Sequence, residues 1–201
     1  MVNFINTWAR KIPAWLIYII GVLPFIGLVA ALFAGQLGVD PVKELEHELG
    51  EIGLQVLIAS LLITPLRNWF KINLIKFRRA LSLVGFFYVA MHFAVWLVLD
   101  VQLYWSEIIA DIVKRPYIMM GAFSLIVMIP LAVTSNNWAI RQMRANWRKL
   151  HLLAYLGVAF GAAHYIVLSK TVAVEPLLYC FVVALLLGTR LLRQMRSTVR
   201  V

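Results

Sequence analysis

The chain has a single cysteine in 201 residues, only nine acidic side chains, and no glycine-rich phosphate loop. One thiol, Cys180, excludes a disulfide framework, a thiolate metal cluster and a C-x-x-C attachment motif. It reads as a small buried hydrophobe. Without a phosphate-cradling loop, and with short connections between apolar runs, there is no room for a nucleotide-binding fold. No internal repeat aligns by sequence. Charged residues make up 14% of the chain and hydrophobic ones 63%. Soluble domains run at about 25% and 45–50%, so an ordinary globular or disordered chain is excluded.

What fills the chain instead is long uncharged stretches: 12–39, 52–66, 80–99, 116–140 and 150–169, with 171–189 broken only by Glu175. A hydrocarbon core about 30 Å thick needs roughly 20 apolar helical residues to cross it. Four stretches reach that length alone. The second is extended by its flank, because Asp40-Pro41 has the form of an N-cap followed by proline at the first helical position. Pro116 and Pro176 open the fourth and sixth helices in the same way. The sequence therefore predicts an all-α, polytopic membrane bundle of six transmembrane helices, at about 12–34, 45–67, 80–99, 116–136, 150–169 and 174–191, forming one domain over 1–201.

The formal charge of +10 would suggest nucleic acid in a soluble protein. Here it sorts by side of a membrane. One set of connections holds Arg10, Lys11, Arg67, Lys71, Lys76, Arg78, Arg79, Arg141, Arg144, Arg148, Lys149, Arg190, Arg193, Arg196 and Arg200, with no acid. The other holds Lys43, Lys114, Arg115 and Lys170 with all nine acids. The positive-inside rule then places the N-terminus and C-terminus in the cytoplasm. No nucleic-acid partner is implied; membrane lipids are. Trp8, Trp69, Trp105, Trp138 and Trp147 fall near span ends, as interfacial aromatics should. The first apolar run is longer than a signal h-region of roughly 7–15 residues and lacks a small-x-small cleavage site, so it is expected to remain as a span.

Three of the four histidines lie inside expected spans: His92 in the third, His151 and His164 in the fifth. Ionisable groups at membrane depth are costly and mark function by default; the alternative is polar glue between helices, worth about 1 kcal/mol. His92 is 13 residues past Arg79 and His164 is 15 past Lys149, so both lie roughly 20 Å from the cytoplasmic face. Two imidazoles at one depth on two helices can clamp a haem iron from both sides. His151 lies roughly 20 Å nearer the cytoplasm, a second level. Arg78 precedes His92 by 14 residues and so shares nearly its face of the helix. It is a poor iron ligand but suits a propionate, a flavin phosphate or lipid head groups, beside the plain reading of a snorkelling cation. Thirteen residues turn about 140° from the starting face, so His151 and His164 share a side only if the fifth helix is distorted. Gly157 and Gly161 would permit distortion or close packing. His47, among Glu44, Glu46, Glu48 and Glu51, reads as part of a solvated helix face.

The segments GVDPVKELEHELG (38–50), LLITPLR (61–67), RRALSLVGFFYVAMH (78–92), KRPYIMMG (114–121), LAVTSN (131–136), NWRKLHLLAY (146–155) and AHYIV (163–167) resemble the MsrQ (YedZ) family. That family lies within the ferric-reductase-like transmembrane superfamily, with the NADPH oxidases and STEAP proteins. The resemblance implies a multi-pass subunit of the bacterial inner membrane, binding b-type haem (one or two) and FMN. Such a subunit passes electrons from the quinone pool or a cytoplasmic flavin reductase to MsrP, a periplasmic molybdopterin enzyme. MsrP repairs methionine sulfoxide in envelope proteins, so the membrane subunit does not itself act on that substrate. The family's haem-ligand histidines match His92, His151 and His164, and its third-helix arginine matches Arg78. The chain departs from the NADPH oxidases in having Arg78 where they have a histidine and in lacking a soluble FAD/NADPH domain. A separate donor is therefore needed. The acidic outer loops would add complementary charge for docking. Two other readings stay open: a self-standing reductase of ferric chelates, and a non-redox membrane anchor.

Overall fold

The computed structural model describes residues 1–169 and 173–198; the expected outer Lys170 and the tail Arg200 lie outside the described residues. The regular structure among the described residues is helical: α1 (Val2–Lys11), α2 (Leu16–Phe33), α3 (Pro41–Trp69), α4 (Arg78–Val95), α5 (Trp105–Lys114), α6 (Pro116–Val133), α7 (Asn137–Met143), α8 (Ala145–Leu150), α9 (Leu153–Leu168) and α10 (Val174–Thr198). Five segments among the described residues are long and apolar enough to cross a membrane: Leu16–Phe33, Pro41–Trp69, Ile75–Asp100, Pro116–Val133 and Ala145–Leu168. They match the first five expected spans. The sixth, α10, is present as a helix but is not among those five.

Local sequence explains the boundaries. Asp40 caps α3, its side chain accepting from the Lys43 amide, and Pro41 occupies the first turn. The helix therefore starts before the apolar run and continues into it. Pro116 opens α6 in the same manner, whereas Pro176 is the third residue of α10, which begins at Val174. Short helices outside the expected spans, α1, α5, α7 and most of α8, were not foreseen. Both α1 and α5 are amphipathic and carry exposed apolar side chains, Phe4 and Trp8 in α1, where Lys11 lies over the Trp8 ring, and Trp105, Ile109 and Val113 in α5, opposite Glu107, Asp111 and Lys114. Such helices lie along a surface and do not span.

The chain divides into two compact units, Met1–Lys114 and Arg115–Val201. In the first, α3 and α4 pack side by side, with α2 against them. Leu45, Leu49, Val84 and Tyr88 form the buried cluster, and Ile17, Phe25, Leu28 and Leu32 of α2 pack onto it. Glycines set the spacing: a Cβ at Gly21 would stand 2.6 Å from Val84, and one at Gly85 would stand 2.8 Å from Leu57. Asn6 bonds the Lys71 carbonyl and the Asn73 amide, and Lys76 donates to the Arg10 carbonyl, which fastens α1 to the loop after α3.

Tyr88 is fully buried. Its hydroxyl donates to the Gly21 carbonyl at 2.7 Å and accepts from the Phe25 amide at 3.0 Å. Those groups are one helical turn apart and flank Pro24, whose ring disturbs the local hydrogen-bond ladder. The tyrosine thus satisfies backbone that water cannot reach.

In the second unit α9 packs on α6 and α10 on α9. Ser124 donates to the Gly157 carbonyl at 2.7 Å, and a Cβ at Gly161 would meet the Ser124 hydroxyl at 3.4 Å. The two glycines therefore serve close packing. Cys180 is half-buried, its thiol donating to the Ala162 carbonyl at 3.1 Å.

Replacing Tyr88 by Phe keeps the ring but leaves both backbone groups without the hydroxyl, at a cost of about 1–3 kcal/mol. The Y88F protein in detergent is expected to melt below wild type, and an unchanged melting temperature would contradict this.

Candidate functional site

His92 lies in the last turn of α4, and its ring reaches α3, where Nδ1 is 2.7 Å from the carbonyl oxygen of Glu46. A carbonyl only accepts, so Nδ1 carries the proton and the neutral ring has its lone pair on Nε2. Gly50, one turn along α3 from Glu46, lies directly against the imidazole: a Cβ there would stand 3.0 Å from Nδ1 and 3.2 Å from Cε1.

The second unit contains the same arrangement. His164 of α9 places Nδ1 2.6 Å from the Tyr117 carbonyl of α6. One turn on, a Cβ at Gly121 would stand 3.1 Å from Nδ1 and 3.2 Å from Cε1. The correspondence extends along both helix pairs. Glu46 and Tyr117, Gly50 and Gly121, Gly53 and Ser124, and Leu57 and Met128 are each 71 residues apart; Gly85 and Gly157, and His92 and His164, are 72 apart. Gly85 faces Leu57 as Gly157 faces Met128. The α3–α4 and α6–α9 pairs are therefore one motif used twice, although no repeat aligns by sequence.

His151 is presented differently. The fifth expected span is broken at His151 and Leu152, which form a turn between α8 and α9. The helix is thus interrupted at the histidine itself, while Gly157 and Gly161 lie within the regular helix α9. The ring stacks on Trp147 with centroids 3.9 Å apart, and its Nε2 is 3.0 Å from the Thr134 hydroxyl. That hydroxyl lies 2.6 Å from the Pro130 carbonyl and gives its proton there, so His151 donates from Nε2. Trp147 also donates to the Thr134 carbonyl at 2.9 Å. Trp147, near the start of the fifth apolar segment, also holds an imidazole in place, while Trp8, Trp69, Trp105 and Trp138 are exposed.

Arg78 is the first residue of α4 and half-buried, with no hydrogen-bond or ion-pair partner among the described residues. It shares a continuous helix with His92, as the 14-residue spacing requires. His47 is exposed on α3, as expected of a solvated face. Its neighbour Lys43 pairs with Glu46 at 3.3 Å and with Asp100 at 2.5 Å, tying the start of α3 to a π-helical turn, Trp96–Asp100, that follows α4. Trp96 is buried, and its indole Nε1 has no hydrogen-bond partner among the described residues.

The residues that sequence reasoning missed are mostly backbone: the Glu46 and Tyr117 carbonyls, and Gly50 and Gly121 beside the rings. Thr134 and Trp147 join them. The one available signal was a glycine four residues after each acceptor.

Residues 49–162 match the family described as ferric reductase like transmembrane component. The chain is 45% identical over 186 residues to the protein-methionine-sulfoxide reductase heme-binding subunit MsrQ of Agrobacterium fabrum, covering 92% of this chain and 86% of that one. Proteins of the same name from Brucella anthropi and Brucella ovis are 44% and 46% identical over 89% of this chain and 81% of theirs. The chain belongs to the MsrQ family. No solved structure matches it. As a member of the MsrQ family it is a membrane protein, and its five apolar spanning segments agree with that.

In ligand-free protein labelled with 15N-histidine, His92 and His164 of this MsrQ-family chain are expected to report a protonated Nδ1 and His151 a protonated Nε2. Thr134→Val should shift the His151 ring signals alone. A protonated Nε2 on His92 or His164 would contradict the geometry.

Proposed function

We propose that the chain is the haem-binding, electron-transferring membrane subunit of a protein-methionine-sulfoxide reductase system. In this reading six spans form one domain in the bacterial inner membrane, with both termini cytoplasmic. Electrons pass from the quinone pool or a cytoplasmic flavin reductase to the periplasmic molybdopterin enzyme MsrP, which acts on methionine sulfoxide.

The observation that supports this best is the shared presentation of His92 and His164. An axial haem ligand is a neutral imidazole with its other nitrogen donating to a carbonyl or carboxylate, which fixes the tautomer and raises ligand basicity. Both rings meet that requirement through the Glu46 and Tyr117 carbonyls. The glycine beside each ring leaves space that a Cβ would fill. Each ring is therefore suited to haem b, which His92 and His164 would hold. Bound there, the haem supplies one-electron chemistry within the apolar span.

His151 and Arg78 belong to a proposed second, cytoplasmic-side level for a further haem or FMN. Arg78 contributes a cation suited to propionate or phosphate. His151 contributes iron ligation if its Nε2 releases Thr134, or a hydrogen bond to a flavin or quinol if it does not. On the periplasmic side, Asp40, Glu44, Glu46, Glu48 and Glu51 offer a negative surface to a docking partner.

The test is a visible and EPR spectrum of purified protein with single histidine replacements. His92→Ala and His164→Ala are each expected to abolish the low-spin haem signal. An intact signal in both would overturn the ligand pairing, and wild-type protein without a Soret band would overturn the haem reading and leave a membrane anchor. The match to the ferric reductase like family favours one second reading, direct reduction of ferric chelates. Reduced protein is expected to be reoxidised by oxidised MsrP in preference to ferric citrate; the reverse order would favour that second reading.

A further inference from the structure

Two glycines have a tighter relation to the histidines than packing of the helices alone requires. Gly50 and Gly121 each lie one turn beyond the carbonyl that holds an imidazole, and each would place a Cβ nearest to the ring Nδ1, at 3.0 and 3.1 Å. Ordinary contact between a methyl carbon and a ring atom begins near 3.5 Å. Relief of a few tenths of an ångström would have to come from the ring itself, because the opposing backbone is helix. The ring can yield only by rotating out of its plane or by lifting Nδ1–H from its carbonyl. Elsewhere in the same helix pairs, glycines face other groups: Gly53 meets Tyr88 and Val89, Gly85 meets Leu57, and Gly157 meets Met128. Gly27 meets nothing within 4 Å.

We propose that Gly50 and Gly121 are positioning residues that set the ring plane and the Nδ1–carbonyl hydrogen bond of His92 and His164. This inference rests on the reading of those histidines as haem ligands. Alanine is the better helix former by about 1 kcal/mol, so harm from Gly→Ala at these positions comes from contact and not from loss of helix propensity. A weakened Nδ1–H bond makes the imidazole a poorer donor, which favours ferrous over ferric iron and raises the midpoint potential. A turned ring changes the angle between ligand planes, which low-spin EPR reads directly.

The experiment compares Gly50→Ala and Gly121→Ala with three controls, Gly85→Ala, Gly157→Ala and Gly27→Ala, in purified haem-loaded protein. Gly85 and Gly157 test tight packing in the same helix pairs without touching an imidazole, and Gly27 tests an open helix face. The expected result is an upward shift of midpoint potential and a displaced low-field EPR feature in G50A and G121A, with the controls superimposing on wild type. Either variant suffices if the other fails to assemble, since the two sites lie in different units. Wild-type-like spectra and potentials in both, or equal shifts in G85A and G157A, would overturn the positioning role while leaving haem ligation intact. A wild-type protein that binds no haem would overturn the functional reading together with this inference.

Discussion

The constraint on which this structure depends is that a polar group inside an apolar medium must find its partner on a neighbouring helix. Water is absent at that depth, and an unsatisfied donor or acceptor costs several kcal/mol. A helix carbonyl already serves its own ladder, yet it has a second lone pair that a side chain from an adjacent helix can use. His92 reaches Glu46, His164 reaches Tyr117, Ser124 reaches Gly157 and Cys180 reaches Ala162 by this device. Each contact needs helices close enough for a side chain to touch backbone. At the two imidazoles a glycine, Gly50 or Gly121, stands where a Cβ would meet the ring.

From that constraint follows the duplication of the α3–α4 and α6–α9 pairs. Once one helix offers a carbonyl with a glycine four residues later, a histidine on its neighbour is fixed in tautomer and direction at once. The same solution appears in both units at matching positions, with different residues around it: Leu57 against Met128, Gly53 against Ser124. What repeats is the spatial relation of ring, carbonyl and glycine, while the apolar filling varies because many side chains occupy similar volumes. His151 stands outside the pattern. It is held through its other nitrogen, by a hydroxyl and an indole, at a break between helices.

Much of the fold was legible in the sequence. Charge-free runs located the five apolar segments because a bilayer imposes a length and tolerates few charges, and Asp40-Pro41 announced the early start of α3. Helix geometry showed only that His151 and His164 share a side if the fifth helix is distorted, since 13 residues do not return to one face; the break at His151 and Leu152 was not located by it. The amphipathic α1 and α5 escaped notice because hydropathy averaged over a span cannot see a short helix that is apolar on one side only. Within the site, His92, His151 and His164 were visible as costly residues in apolar surroundings, and Arg78 by its 14-residue spacing from His92. Their partners at Glu46 and Tyr117 were invisible because a backbone carbonyl has no letter of its own. Trp147 does lie near a span end, as its position suggested, but only the structure shows its ring against His151.

The hydroxyl of Tyr88 has a consequence for how the molecule is made. It completes the backbone of α2 beside Pro24, yet it lies 63 residues further along the chain than Phe25. During synthesis α2 therefore meets the bilayer well before the group that seals its opened turn has left the ribosome. Until α4 arrives, that turn must be held by water or by the insertion machinery, and α2 is a finished membrane helix only in the company of α4. Assembly of the first unit is for this reason tied to the order in which its helices are delivered, with a tyrosine as the closing step.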